Sequence, residues 1–233
     1  MADPVILGLD TSGHHCAAAL RWGDDNIAYI QEDMAKGQAE RLVFLLQELL
    51  DQEGFNWSDL NAIAVGIGPG NFTGIRIGVS TTRGLALGLG IPAIGISSFE
   101  LLRGANSTLD HMPQLVSLPA PRETNYVQHF VSGKASAAPL HLKSATAGLV
   151  DFELEATTSI IGDNAHNLCR LYSKDDRKEY PAPRFASLQE IPQTLVRIAT
   201  EKFKVGTSNA PAPLYVRAPD ASPPRDAPPT ILL

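Results

Sequence analysis

Ala64 to Leu102, AVGIGPGNFTGIRIGVSTTRGLALGLGIPAIGISSFELL, is the stretch that decides the fold. Ala62 to Ile67 has the length and β-branching of a buried strand, and Gly68-Pro69-Gly70 forces a turn after it. Asn71 and Thr73 both carry side chains able to cap a helix, with Thr73 the expected N-cap. No proline interrupts Gly74 to Leu89. Ile75, Val79, Leu85 and Leu89 share one side of that helix, while Gly74, Gly78, Gly84 and Gly88 let another backbone come close. Each glycine costs a helix about 1 kcal/mol relative to alanine, so four of them imply a close-packed neighbour or a partner. Ile91 to Ile96 supplies the next strand and closes a β-α-β unit.

Upstream, Val5 to Leu9 is a short apolar strand running into Asp10-Thr11-Ser12-Gly13, and Ala17 to Trp22 reads as its antiparallel return. Gly23 to Asn26 makes a second turn before Ile27 to Gln31, so three strands form a meander. The Asp-Thr-Ser-Gly turn presents hydroxyls and backbone N–H groups together, either as a phosphate loop or as an ordinary Asp-rich turn. Lys36 to Glu53 is a helix with Leu42, Leu45, Leu46, Leu49 and Leu50 on one side, and Val43 and Phe44 widen its apolar surface. Such a helix is either inserted in the core or shared with another chain.

Downstream, Arg103 to His111 is polar, and Pro113, Pro119 and Pro121 break any long element, which places a domain boundary between residues 1–103 and 104–233. Strands are expected at Leu115 to Leu118 and Asn125 to Val131, a loop at Lys134 to Pro139, and a short helix or turn at Ser144 to Asp151. Ser159 to Ala165 reads as a strand leaving through Gly162-Asp163 toward a helix at His166 to Tyr172. That junction is a second place for backbone N–H groups to face an anion, or an ordinary turn. Ser187 to Lys204 is a helix with Pro192 in its first turn. Pro211 to Leu233 is proline-rich, with one extended run at Leu214 to Arg217 and a mobile end expected beyond Pro219.

A net charge of −6 argues against binding nucleic acid through a basic surface, so any work on RNA needs a basic partner. Cys16 and Cys169 form neither a metal spacing nor a disulfide framework, which fits a reducing cytoplasm. Asp3 and Pro4 precede only a short apolar run, and no run approaches a membrane span, so a cytoplasmic location without membrane contact is expected. The six histidines, at 14, 15, 111, 129, 141 and 166, include no pair at i, i+4, and no metal site is expected. His14-His15 reads as a solvated turn, since adjacent side chains point apart. There is no Gly-x-Ser-x-Gly elbow, and no Lys-Ser or Lys-Thr follows the glycine loop to make it a P-loop. Arg76 has two readings: steadying an anion at the helix start, or pairing with a surface carboxylate. These residues describe a two-domain α/β protein with a phosphate-tolerant loop and no evident catalytic group.

Gly68-Pro69-Gly70-Asn71-Phe72-Thr73-Gly74-Ile75-Arg76-Ile77-Gly78 resembles the GPGSFTGLRIG signature of the bacterial TsaB (YeaZ) family, with Asn71 in the serine position and Ile75 in the leucine position. Ile6 to Ser12, Ile91 to Glu100 and Pro213 to Ala221 agree with the same family, whereas Pro119 to Tyr126 keeps only Ala120, Arg122 and Tyr126 of the family's usual pattern there. The resemblance implies a two-lobed α/β fold like that of actin, Hsp70 and the sugar kinases, each lobe a mixed sheet with helices. It also implies a part in threonylcarbamoyl modification of the tRNA adenosine beside the anticodon. The family's catalytic paralogue, TsaD, holds a metal with a His-x-x-x-His pair, and the corresponding positions here are Ser98 and Leu102. The implied role is therefore that of a scaffold without catalytic residues, metal or cofactor. Its partners would be a TsaD-like catalytic subunit, a TsaE-like ATPase and, in isolation, a second copy of itself, with tRNA reached only through the complex.

On this reading Asp10, Thr11, Ser12, Gly68, Gly70, Asn71 and Thr73 are vestigial phosphate loops. Leu42, Leu45, Leu46, Leu49, Gly74, Arg76, Gly78, Val79 and Thr82 are expected to form the partner surface. Two rivals share the fold: an autonomous ATPase or kinase, for which Asp163 is the one candidate second carboxylate, and a metallopeptidase, which conflicts with the missing histidine pair.

Overall fold

Two mixed sheets, each flanked by helices, make up the α/β structure, a computed structural model that describes residues 3–104, 112–142, 154–155, 157–172, 190–206 and 210–217. The expected element at Ser144 to Asp151, the beginning of the helix at Ser187 and the tail from residue 218 lie outside the described residues.

The first sheet runs in the order β3-β2-β1-β4-β5, from β1 (Ile6–Asp10), β2 (His15–Trp22), β3 (Asn26–Asp33), β4 (Ala62–Gly66) and β5 (Ala93–Ile96). β1, β2 and β3 form the antiparallel meander, and β4 and β5 add parallel to β1. β1 and β4 read as continuous apolar runs because both of their faces are covered. On one face α1 (Gln38–Glu53) and α2 (Phe72–Leu89) pack over Leu7, Leu9, Ala18, Leu20, Ile63 and Val65. On the other, Leu195, Val196 and Ala199 of α5 (Ile191–Lys204) cover Ile6, Ala19, Ala62, Ala64, Ile94 and Ile96. Gly8 leaves room for that helix, since a Cβ there would collide with Leu195 and Val196. Pro192 sits in the first turn of α5, where its missing N–H leaves no bond unmade.

The second sheet has the order β10-β6-β7-β8, from β6 (Gln114–Ala120), β7 (Thr124–Val131), β8 (Lys134–Ala135) and β10 (Ser159–Gly162). β9 (Leu140–Leu142) also pairs with β7; β8 arises inside the loop expected at Lys134 to Pro139, and β9 follows it where no element was expected. α4 (Ala165–Tyr172) packs Ala165, Leu168 and Cys169 on one face of this sheet. α3 (Ser98–Gly104) joins the two sheets: Leu101 packs into the α5 layer of the first, and Phe99 and Leu102 pack against Val116, Leu118, Phe130 and Ile161 of the second. The sequence places a boundary after Arg103, at the end of this helix, yet α5 returns from the later half of the chain to cover the earlier sheet.

Packing corrects the expected partner surface. Leu42, Leu45, Leu46 and Leu49 are at most 1% exposed, Val79 is 3% and Thr82 is fully buried, all inside the chain's own structure. Gly74 and Gly78 are likewise buried, on the inner side of α2. The apolar stripes of α1 and α2 face the sheet because that is where the largest apolar area is removed from water. Of the nine residues only Arg76 is on the surface. The outward residues of these helices include Val43 and Phe44 of α1 and Ser80, Gly84, Leu87 and Gly88 of α2.

Candidate functional site

The glycine loop between β4 and α2 lies pressed against the turn that joins β1 to β2. A Cβ at Gly70 would overlap the Ser12 carbonyl oxygen, and one at Gly74 the Thr11 carbonyl oxygen. The Asn71 N–H donates to the Ser12 carbonyl at 2.6 Å, and the Thr11 hydroxyl donates to the Gly74 carbonyl at 2.7 Å. The Gly68–Pro69 peptide bond is cis, and Gly68 has a φ of 85°. Asn71, not Thr73, is the N-cap: its backbone is extended, and its side-chain oxygen accepts from the Gly74 N–H at 2.9 Å. Thr73 lies one residue inside the helix and is exposed.

Asp10 ends β1 at 1% exposure. Its Oδ1 accepts from the Ser12 N–H at 2.8 Å, from the Ser12 hydroxyl at 2.9 Å and from His15 Nε2 at 2.8 Å. Its Oδ2 lies over Gly66, where any Cβ would overlap it, and has no hydrogen-bond partner among the described residues. The hydroxyls of Thr11 and Ser12 and the amide of Asn71 are thus all engaged within the chain, which ties the two loops together without offering those groups to an anion.

His15 was expected in a solvated turn beside His14. His14 is exposed, but His15 is the first residue of β2 and is buried against Asp10. Burial opposes its charge, yet the hydrogen bond it donates to Asp10 and the attraction of Asp10 and Asp33 outweigh that and raise its pKa above the ordinary value. A histidine with a raised folded pKa contributes fully below its unfolded pKa of about 6.5 and loses that contribution as pH climbs through the folded value. The urea midpoint of the wild type is therefore expected to exceed that of His15→Gln by most below about pH 6.5 and by progressively less above it. Paired denaturation curves across that range check this, and a pH-independent gap would contradict it.

Ser98 and Leu102 are the positions that the resemblance is expected to set against the paralogue's histidine pair. The Ser98 hydroxyl donates to the Pro69 carbonyl at 2.9 Å, and Leu102 is buried in the core beneath the second sheet. Among the described residues no three His, Cys, Asp or Glu side chains come together as a metal site. Asp163 sits at the β10–α4 turn and accepts from Asn125 Nδ2 at 2.8 Å, while Asn164 Nδ2 donates to Asn125 Oδ1 at 3.0 Å. Asn125 belongs to the divergent segment Pro119 to Tyr126, which forms the β6–β7 hairpin with Arg122 and Glu123 at positive φ. Its amide has a structural task that the sequence alone did not reveal.

The family profile of TsaD, tRNA N6-adenosine threonylcarbamoyltransferase, matches residues 30–136. Over 93 residues, 40% of each chain, the protein is 40% identical to the tRNA threonylcarbamoyladenosine biosynthesis protein TsaB of Escherichia coli. It is 32% identical over 117 residues to the protein of the same name from Haemophilus influenzae, covering 50% of this chain and 49% of that one. Over this stretch the chain is similar to the TsaB (YeaZ) family. It spans less than half the length of these two curated relatives in those matches. The structure of YeaZ from Pseudomonas aeruginosa superimposes with a TM-score of 0.68 at 24% identity, over 89% of this chain and 95% of that one, a likeness of fold.

Two segments that carry the TsaB resemblance, the glycine motif and the late Leu214 to Arg217 run, meet in space. The Arg76 guanidinium lies 3.8 Å from the centroid of the Phe72 ring, and its Nε donates to the Tyr215 hydroxyl at 2.8 Å. The Phe72 and Tyr215 centroids are 5.4 Å apart. The Leu214 N–H donates to the Ile67 carbonyl at 2.9 Å, so backbone and side chains together hold the late segment on the loop. Among the described residues the partners of Arg76 are these two rings and the Tyr215 hydroxyl, and a cation stacked on an exposed ring contributes about 0.5–1 kcal/mol.

Proposed function

We propose that the chain acts in the cytoplasm as the non-catalytic TsaB-type subunit of a bacterial tRNA threonylcarbamoyltransferase complex. It supports modification of the adenosine beside the anticodon. The observation that carries this reading is the 40% identity to a tRNA threonylcarbamoyladenosine biosynthesis protein, TsaB. Two features support the non-catalytic part. Leu102 and Ser98 replace a metal-holding pair with a core hydrocarbon and a hydroxyl already bonded to Pro69. The Thr11 hydroxyl and the Asn71 N–H are bonded across to the opposite loop, and the Ser12 hydroxyl to Asp10 of its own, in place of a nucleotide phosphate.

Its contribution is a surface. Phe44 is 68% exposed on α1 and Leu87 is 85% exposed on α2, and beside Leu87 the glycines 84 and 88 have no atom of the described residues within 4 Å of a Cβ position. Two helix-interior glycines with no internal neighbour fit close approach by another helix, which a TsaD-like subunit or a second copy of this chain would supply. A TsaE-like ATPase and tRNA join through that assembly.

Reconstitution tests the function: tRNA, a threonylcarbamoyl-adenylate source, TsaD and TsaE, with and without this chain. Modification is expected to fall at least tenfold, an effect of about 1.4 kcal/mol or more, when the chain is omitted, and the chain alone is expected to give none. Modification by the chain alone, or an unchanged rate without it, overturns the reading. Titration with ATP and magnesium separates it from the autonomous ATPase, which would bind and turn over nucleotide by itself.

A further inference from the structure

A cavity of about 670 Å³ is lined by residues of the meander, α3 and α5, away from the glycine loop. Its described lining brings together Arg21 of β2, Arg103 of α3 and Arg197 of α5. Ala19 of β2 faces α5, and strand alternation places Arg21 on that same face, turned toward the helix and away from bulk water. Arg21 is 7% exposed. Its Nη2 donates to the Asp24 carbonyl oxygen at 2.8 Å, while Nη1 is buried with no hydrogen-bond partner among the described residues.

A guanidinium keeps its proton throughout the physiological range, so Arg21 is a buried cation with half of its terminal donors unused. Burying a charge without a counter-charge is costly, and nothing described in the fold offsets that cost at Nη1. The cavity does contain carboxylates, those of Asp25, Glu190 and Glu201, but all three residues are exposed. The buried part of the lining carries the Arg21 guanidinium and the hydroxyls of Thr194, 6% exposed, and Thr200, while the exposed part holds three carboxylates and the Arg197 guanidinium.

We propose that this cavity binds a small metabolite carrying an oxyanion, a phosphate ester or a carboxylate. The anionic group is taken by Arg21 with Arg103, after a small rotation of the Arg21 guanidinium that presents Nη1, and the uncharged or cationic remainder points toward Glu190 and Glu201. Guanidinium is suited to both oxyanions because its donors match two oxygens at once. The site is distinct from the outer faces of α1 and α2, and it does not depend on the tRNA reading.

The test is isothermal titration of the full chain with inorganic phosphate and, separately, with acetate, each at ionic strength matched with chloride. One of the two anions is expected to bind at a single site, and the preferred one identifies the ligand class. Arg21→Met is expected to weaken that binding at least about tenfold, and Arg103→Gln to weaken it in the same direction. Without anion, Arg21→Met is expected to melt no lower than the wild type, since a hydrocarbon replaces an unpaired buried charge. Absence of binding by the wild type overturns the proposal, as does unchanged affinity in Arg21→Met. If Arg21→Met does not fold, Arg103→Gln decides alone, and unchanged affinity there overturns it.

Discussion

Gly74→Ala is expected to lower stability by about 3 kcal/mol, the upper part of the range for overfilling a packed site, although alanine is by about 1 kcal/mol the better helix former. The collision decides the sign. A Cβ at Gly74 would fall on the Thr11 carbonyl oxygen, a backbone atom held at the end of β1 and unable to swing aside as a side-chain tip can. Moving α2 outward to relieve it breaks the bond from the Thr11 hydroxyl to the Gly74 carbonyl and loosens the Asn71 cap. Gly84→Ala and Gly88→Ala are the internal controls. Both are in the same helix, both meet open space, and both are expected to stabilise the isolated chain by up to about 1 kcal/mol. Urea denaturation of the three variants measures the contrast, and a Gly74→Ala midpoint at or above that of the wild type would refute the account of the loop contact.

That contrast also marks how far the sequence could be read. Four glycines in α2 pointed to close approach, and residue type could not separate the pair packed on Thr11, Leu9 and Val65 from the pair left open. Periodicity identifies which residues share a face, not what covers it. The apolar stripe of α5 was legible, but its burial on the first sheet, across most of the chain length, was not. The meander and the β-α-β unit were legible because β1 and β4 are apolar on both faces and their turns are rich in Gly, Asp and Asn. Asn71 and Thr73 were equally good caps on composition, and only the backbone at 71 settles which one acts. His15 and Arg21 share a missed signal. The period-2 pattern of Ala17 and Ala19 extends back to 15 and forward to 21, and it places one imidazole against Asp10 and one guanidinium in the cavity under α5.

Leu45→Asp and Phe44→Asp, one residue apart on α1, are expected to fail in opposite ways. Leu45 is fully buried in the layer between α1 and the first sheet. Trimming such a leucine to alanine costs about 2–5 kcal/mol, and a carboxylate adds the penalty of a buried charge with no partner. A typical domain has only about 5–15 kcal/mol of stability in total. Leu45→Asp should therefore lose its cooperative unfolding transition, and any loss of partner binding would follow from unfolding. Phe44, at 68% exposed, faces outward on the same helix, near the exposed end of the Arg41–Glu48 ion pair. Its replacement by Asp should leave the urea midpoint within about 0.5 kcal/mol of the wild type, as surface changes usually do. If the outer face of α1 meets TsaD or a second copy, sedimentation of the folded Phe44→Asp chain should show weaker self-association or weaker complex formation. A Leu45→Asp chain that stays folded would contradict the placement of that leucine in the core. A Phe44→Asp chain that stays folded and associates like the wild type would move the partner surface off α1, leaving the exposed glycine face of α2 to be tested by Gly84→Phe.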